Sequence, residues 1–244
     1  MGRAHEVRAA SMAKTNLMKS KLYSKYGKLI YMEAKNGGTD PNANLKLRAL
    51  IDKAKKDQVP ADVIKRNIEK ANGGTGENYS SCRYEAYGPS GSTFIIECLS
   101  DNSNRTLSSL NIATQKCGAH LGKPGSVSYN YDYVGVLDLT GLDEDSVLEA
   151  VAEAGIDVLD LYTNDDESVT VTANPSDLSA VRQAIEAAKA DVQFQRDEVA
   201  WVAKEEINVP EEDFEKLTRF MNMLAENDDV TNVYHNVSNM PEEE

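Results

Sequence analysis

Along the first third of the chain, apolar residues recur at helical spacing. Leu22, Tyr26, Leu29 and Ile30 share one face of a helix expected over residues 15–35, and Gly37-Gly38 supplies its stop. Asp40-Pro41-Asn42 reads as a turn opening a second helix, on which Leu47, Leu50, Ile51 and Ala54 fall at i, i+3, i+4 and i+7. A third helix starts near Pro60, a residue favoured in the first helical turn, and turns Val63, Ile64, Ile68 and Ala71 inward before ending at Gly73-Gly74. Three short amphipathic helices make a small bundle.

Past the polar, glycine-rich stretch 72–78 the pattern changes. Strands are expected at 82–87 and 92–99, joined by the turn Gly88-Pro89-Ser90-Gly91, with a helix at 104–117. Another strand is expected at 127–133, where Val127, Tyr129, Tyr131 and Tyr133 alternate with Ser128, Asn130 and Asp132. After Gly135 the order is strand (136–139), helix (143–154), strand (157–162), strand (168–172), helix (175–189) and strand (192–202). That is the βαββαβ order of a ferredoxin-like unit. A helix at 210–226 and a strand at 230–234 complete the earlier ββαβ segment if the chain returns to it. The prediction is therefore an α+β protein: a three-helix N-terminal domain (1–76) and two α/β sandwich domains. One sandwich is discontinuous (77–133 plus 204–240), and the ferredoxin-like one (134–203) is inserted into it.

Charge adds function to this outline. The 244 residues carry a net charge of −14, unevenly spread. Residues 1–74 hold 16 Lys and Arg against 7 Asp and Glu, a net of +9, and residues 75–244 hold 10 against 33, a net of −23. Such a sign asymmetry marks a localised electrostatic footprint for a polyanion. In the first helix Lys14, Lys21, Lys28 and Lys35 repeat every seven residues, a step that drifts by about 20° per repeat, and Lys25 lies one turn from Lys21. They form a slowly winding stripe able to follow a phosphate backbone. Lys46, Arg48, Lys53, Lys55, Lys56, Lys65, Arg66 and Lys70 extend it over the next two helices. Binding through such a surface is salt-dependent and nearly blind to sequence.

Arg3, Arg8, Arg48 and Arg66 are the candidates for bidentate base contacts, without a helix-turn-helix or zinc-finger signature around them. If the stripe is exposed, charge reversal at Lys21, Lys25 and Lys28 removes binding and spares the fold. The competing arrangement pairs the stripe with the acidic body and leaves a protein-interaction adaptor. Tyr129, Tyr131 and Tyr133 are expected on a core face, whereas Tyr23, Tyr26 and Tyr31 lie within the basic helix and are candidates for stacking on nucleic acid or contacting its backbone.

Other chemistries find little support. No run of 18 apolar residues offers a membrane span, and the first residues show no secretory or acylation signal. Three cysteines, Cys82, Cys98 and Cys117, match neither a disulfide framework nor a zinc site, which fits a reducing cytoplasm. Cys117 with His120 is a half-site without a second pair, and His5-Glu6 lacks the second histidine of a zinc helix. Gly73-Gly74-Thr75-Gly76 lacks the Lys-Ser or Lys-Thr of a phosphate-binding loop. Asp165-Asp166 and Asp228-Asp229 read as solvated turn charge. The expectation is a protein that is not an enzyme, with no catalytic residue, metal, cofactor, small-molecule substrate or membrane contact.

Several blocks carry a family resemblance. They are Gly38-Thr39-Asp40-Pro41-Asn42-Ala43-Asn44, Leu47-Arg48, Ile51-Asp52-Lys53-Ala54-Lys55 and Val59-Pro60, then the run 83–91, Asp101-Asn102-Ser103-Asn104-Arg105-Thr106, the run 118–122 with Gly125-Ser126-Val127, and Val233-Tyr234-His235-Asn236-Val237. Together they cover most of the chain, which resembles the YebC/PmpR family, the group that includes the mitochondrial translational activator of cytochrome c oxidase. Members usually open with a Gly-His-Ser-Lys-Trp type segment, where this chain has Gly2-Arg3-Ala4-His5-Glu6. The resemblance implies a helical domain followed by two α/β domains, and either DNA-binding transcriptional regulation or ribosome-associated help to translation through proline-containing stretches. It also implies a nucleic-acid role for Asn44, Arg48, Lys53 and Lys55. DNA is the first candidate partner; ribosomal RNA, with the ribosome, is the alternative.

Overall fold

The computed structural model describes the backbone at residues 3–73 and 78–241, and side chains from residue 19 onward within them. Helix α1 (Arg3–Gly37) starts well before the expected residue 15, because its alanine-rich opening has helix propensity without an apolar stripe. It ends where Gly38 adopts φ +95°, a conformation open to glycine. Helices α2 (Leu45–Lys56) and α3 (Ala61–Asn72) pack on it. Tyr26, Ile30, Leu47, Ile51, Ala54, Val63 and Ile64 close the core between them, at the spacings the sequence prescribes. Tyr26 reaches out of that core to donate its phenol hydrogen to Asp57.

The chain then forms β1 (Ser80–Tyr87) and β2 (Thr93–Ser100), an antiparallel hairpin in full register from Ser80 opposite Ser100 to Tyr87 opposite Thr93. Helix α4 (Ser103–Lys116) and the short β3 (His120–Leu121) follow. Much later α7 (Phe214–Ala225) and β8 (Val230–His235) return, giving a four-stranded sheet in the order β3-β1-β2-β8. Phe94 of β2 and Phe220 of α7 meet edge to face at 5.0 Å in its core.

Between these segments lie β4 (Tyr131–Thr140), α5 (Glu144–Glu153), β5 (Asp160–Thr163), β6 (Val169–Ala173), α6 (Leu178–Ala188) and β7 (Gln193–Ala203). The second sheet runs β5-β6-β4-β7, antiparallel throughout, over a core that includes Leu137, Leu139, Val147, Val151, Val171, Val181 and Ile185. This is the ferredoxin-like arrangement, and the protein is of the α+β class.

By internal packing the chain divides into two units. One comprises the residues up to Lys123 with Val209–Val233, the other Pro124–Asn208 with Tyr234–Asn239. Packing starts the second unit at Pro124, where the sequence pattern predicts 134, and the strand break that the pattern predicts at Gly135 is absent. Gly135 sits inside β4: a Cβ there would stand 2.9 Å from Leu178 Cβ, so glycine admits α6 against the sheet. One strand therefore replaces the expected strands at 127–133 and 136–139. Residues Ser128–Asn130 form a 3-10 turn, and His120–Leu121 provides the edge strand of the first sheet. The shared core face expected for the three tyrosines fails with it: Tyr131 is buried, but Tyr129 is 74% and Tyr133 49% exposed. Among the described residues no helix is long and apolar enough to cross a membrane.

Candidate nucleic-acid interface

The basic residues of the helical domain meet two different fates. On α1, Lys25 Nζ donates to Asn232 Oδ1 at 3.1 Å, and Lys28 Nζ donates to the Asp228 carbonyl at 2.8 Å and to Asp229 Oδ1 at 3.0 Å. The Lys28 side chain is 13% exposed and that of Asp229 5%. Asp229 also accepts from Ser100 Oγ at 2.9 Å, Thr106 Oγ1 at 2.8 Å and the Arg105 guanidinium at 3.0 Å. Burial alone would raise the Asp229 pKa, but hydrogen bonds from Lys28, Arg105, Thr106 and Ser100 outweigh it and hold the carboxyl at about 2. Part of the stripe is thus an internal fastening between α1 and the first sheet. One expectation is corrected, since Asp229 is buried and is not solvated turn charge; Lys28→Glu is therefore expected to destabilise the fold, because it would set two carboxylates together at a largely buried position.

Lys21 is half-buried, and Lys35 is exposed, donating to Asn78 Oδ1 at 2.9 Å. The side chains of Arg3, Arg8 and Lys14 lie outside the described residues, as do those of His5 and Glu6.

Asn44 occupies a position that sequence reasoning did not foresee. It is 6% exposed and caps α2, its Oδ1 accepting from the Leu47 N–H at 3.1 Å while its Nδ2 donates to the carbonyls of Glu33 and Gly38, both at 3.0 Å. A Cβ on Gly37 would come within 2.5 Å of that amide, so the glycine and the asparagine require each other. Asp40 Oδ1 accepts from the Asn42 N–H at 2.9 Å and shapes the same loop. Asn44 is thus a joint between the two helices and offers no polar atom outward, while Gly38, Asp40, Asn42 and Ala43 of the same motif are exposed.

The remaining candidates stand outside. Lys46, Arg48, Lys53, Lys55, Lys56, Lys65, Arg66 and Lys70 are all exposed on the outer faces of α2 and α3. Lys55 pairs with Asp52 at 3.3 Å and Lys65 with Glu69 at 3.8 Å, both in open solvent where such pairs hold weakly. Lys46, Arg48 and Arg66 make no ion pair among the described residues. A surface of long, hydrated cations on two adjacent helices attracts an extended anion and leaves room for it.

The other titratable groups lie elsewhere. Burial pushes the Cys98 thiol up to about 12, keeping it protonated. His120 stacks on Tyr87 at 5.1 Å, and among the described residues no group of three or more His, Cys, Asp or Glu side chains could hold a metal ion.

The described part of the chain is thus a helical domain with cations facing outward, followed by two α/β units in an acidic stretch of sequence. The family model of the TACO1/YebC N-terminal domain matches residues 3–74, and that of the TACO1/YebC second and third domains matches residues 79–237. The chain belongs to this family. It is 48% identical over 236 residues to a protein of Alteromonas mediterranea, covering 97% of this chain and 98% of that one, and 46% identical over 237 residues to one of Alcanivorax borkumensis, covering 97% and 99%. Both relatives are named "probable transcriptional regulatory protein". A crystal structure of a conserved hypothetical protein from Aquifex aeolicus superposes with a TM-score of 0.75 at 31% identity, covering 92% of this chain and 91% of that one.

Proposed function

We propose that this protein is a cytoplasmic transcriptional regulator that acts by binding DNA, without catalysis, through the exposed cations of α2 and α3. The observation that carries the reading is the outward placement of Lys46, Arg48 and Arg66 beside Lys53, Lys55 and Lys65, on a positively charged domain of an otherwise acidic chain. The acidic sandwiches repel phosphates and serve as scaffold and as a surface for protein partners. The names of the relatives support a regulatory role.

The test is crosslinking and sequencing of all nucleic acid held by the protein in growing cells, with ribosome sedimentation at two salt concentrations beside it. Recovery of discrete promoter DNA is the expected result. Recovery of ribosomal RNA with salt-sensitive co-sedimentation would replace it with a translational role for the same helices, and recovery of neither would remove the nucleic-acid reading.

A further inference from the structure

A cleft of about 410 Å³ opens along α1 and α3, beside Tyr79 at the entry to β1. Gly27 of α1 and Asn67 of α3 touch within its lining: a Cβ at residue 27 would lie 2.9 Å from Asn67 Nδ2, which itself donates to the Val63 carbonyl at 2.8 Å. The lining contrasts with the composition of the chain. Lys28, Arg66 and Lys70 border the cleft, and among the described residues that line it there is no carboxylate. Three tyrosines border it as well, Tyr23, Tyr31 and Tyr79. Cations and rings are held in a set geometry: Lys70 Nζ lies 5.6 Å from the centre of the Tyr31 ring, Lys28 Nζ 5.5 Å from that of Tyr79, and the two rings meet edge to face at 6.0 Å.

These features select among ligands. An inorganic anion would use the cations and waste the rings, and an apolar molecule would do the reverse. A nucleotide carries both a phosphate for Arg66 and Lys70 and a base with a π face for Tyr23 and Tyr79, the Tyr31 ring being buried, and the volume falls in the range of small-ligand sites. The exposed hydroxyls of Ser20 and Ser24, one turn apart on α1, add donors and acceptors for its edge. Arg66 belongs at once to this cleft and to the outer cation surface, so a strand whose phosphates lie on α3 passes the cleft mouth. A base stacked in a duplex cannot enter. We propose that the α1–α3 cleft takes up one unpaired nucleotide, bulged, looped or single-stranded, from the nucleic acid bound on α2 and α3. The proposal rests on the nucleic-acid reading above and adds to it a preference for unpaired structure.

The experiment measures fluorescence anisotropy of the full chain with labelled 20-base-pair probes: fully paired DNA, the same DNA with one unpaired central nucleotide, and the RNA counterparts of both. The unpaired nucleotide is expected to tighten binding about tenfold, in line with the stacking of one base. Ser24→Phe fills the cleft without changing charge and should abolish that preference while leaving affinity for the paired probe intact. Arg66→Ala should lower both affinities and shrink the gap between them. Both positions are exposed, and circular dichroism melts confirm that each variant folds. Equal binding of paired and unpaired probes by the wild type would overturn the cleft proposal and leave the nucleic-acid reading standing. A preference that survives Ser24→Phe would overturn the assignment to this cleft, and binding of no probe at low salt would sink both readings. A gain confined to the RNA pair identifies a ribonucleotide as the occupant; a gain in both pairs identifies the base and phosphate alone.

Discussion

Lys28 on α1 and Arg66 on α3 belong to the same small domain and border the same cleft, yet one is committed inward and the other outward. Lys28 meets a buried carboxylate that also accepts from Ser100, Thr106 and Arg105. Arg66 meets solvent. Two cations of equal formal charge thus do different work: Lys28 holds the helical domain to the first sheet, and Arg66 with Lys46 and Arg48 stays exposed to solvent. Counting positive residues locates the positively charged domain, but only the placement of the opposing carboxylates shows which of its cations face solvent.

The sharpest way to break this contrast is Asp229→Ala. It leaves Lys28 and Arg105 without their shared carboxylate and strips Ser100 Oγ of its acceptor, so unfolding stability should fall by about 3–5 kcal/mol. Urea denaturation measures it. A loss under 1 kcal/mol would mean that the cluster fastens nothing.

On the other side of the comparison, Lys46→Glu, Arg48→Glu and Arg66→Glu combined should weaken DNA binding about 100-fold at moderate salt and flatten its salt dependence, with stability kept to within about 0.5 kcal/mol. Titrations at several salt concentrations, beside denaturation curves, separate the two effects. Unchanged binding would move the interface away from α2 and α3.

The sequence was most legible where one face of an element is buried and the period is regular. The apolar positions of α2 and α3, the β1–β2 hairpin and the ferredoxin-like order could all be read because each follows from a single repeating pattern. Gly135 misled because a glycine that admits a neighbouring helix looks, in sequence, the same as one that ends a strand. Asp229 was missed for a different reason: the partners that bury it lie more than 120 positions away, and an Asp-Asp pair before a strand resembles any solvated turn. The run 101–106 did carry a signal, since Asn102 caps α4 and thereby sets Arg105 and Thr106 one turn in, both aimed at that carboxylate. The exposed cations were legible as a set, but which of them stay available was not.

Acid offers a gentler probe of the fastening. The Asp229 carboxyl has its pKa lowered by folding, so its contribution to stability is complete above the ordinary carboxylate pKa near 4 and is lost as pH falls through about 2. Asp229→Asn lacks that ionisation. The stability gap between wild type and Asp229→Asn should therefore hold constant from pH 7 to pH 5 and close between pH 4 and pH 2, measured by denaturation at each pH. A gap independent of pH throughout would show that shape, and not charge, does the holding.

The smallest expected effect tests the assignment of Asn44, which stands in the family's most recognisable motif but faces inward. Asn44→Ala removes the acceptor for the Leu47 N–H and the donors to the Glu33 and Gly38 carbonyls, and the loss of an N-cap costs about 1 kcal/mol, somewhat more when two further bonds go with it. Leu47 is fully buried, so its loosened N–H has no ready route to water. Thermal stability should drop, while DNA affinity of the folded protein stays within about twofold, because Lys46 and Arg48 keep their places on a helix that still forms. A variant that retained full stability and lost binding would put Asn44 on the same side of the comparison as Arg66, and the motif would then be a contact surface after all.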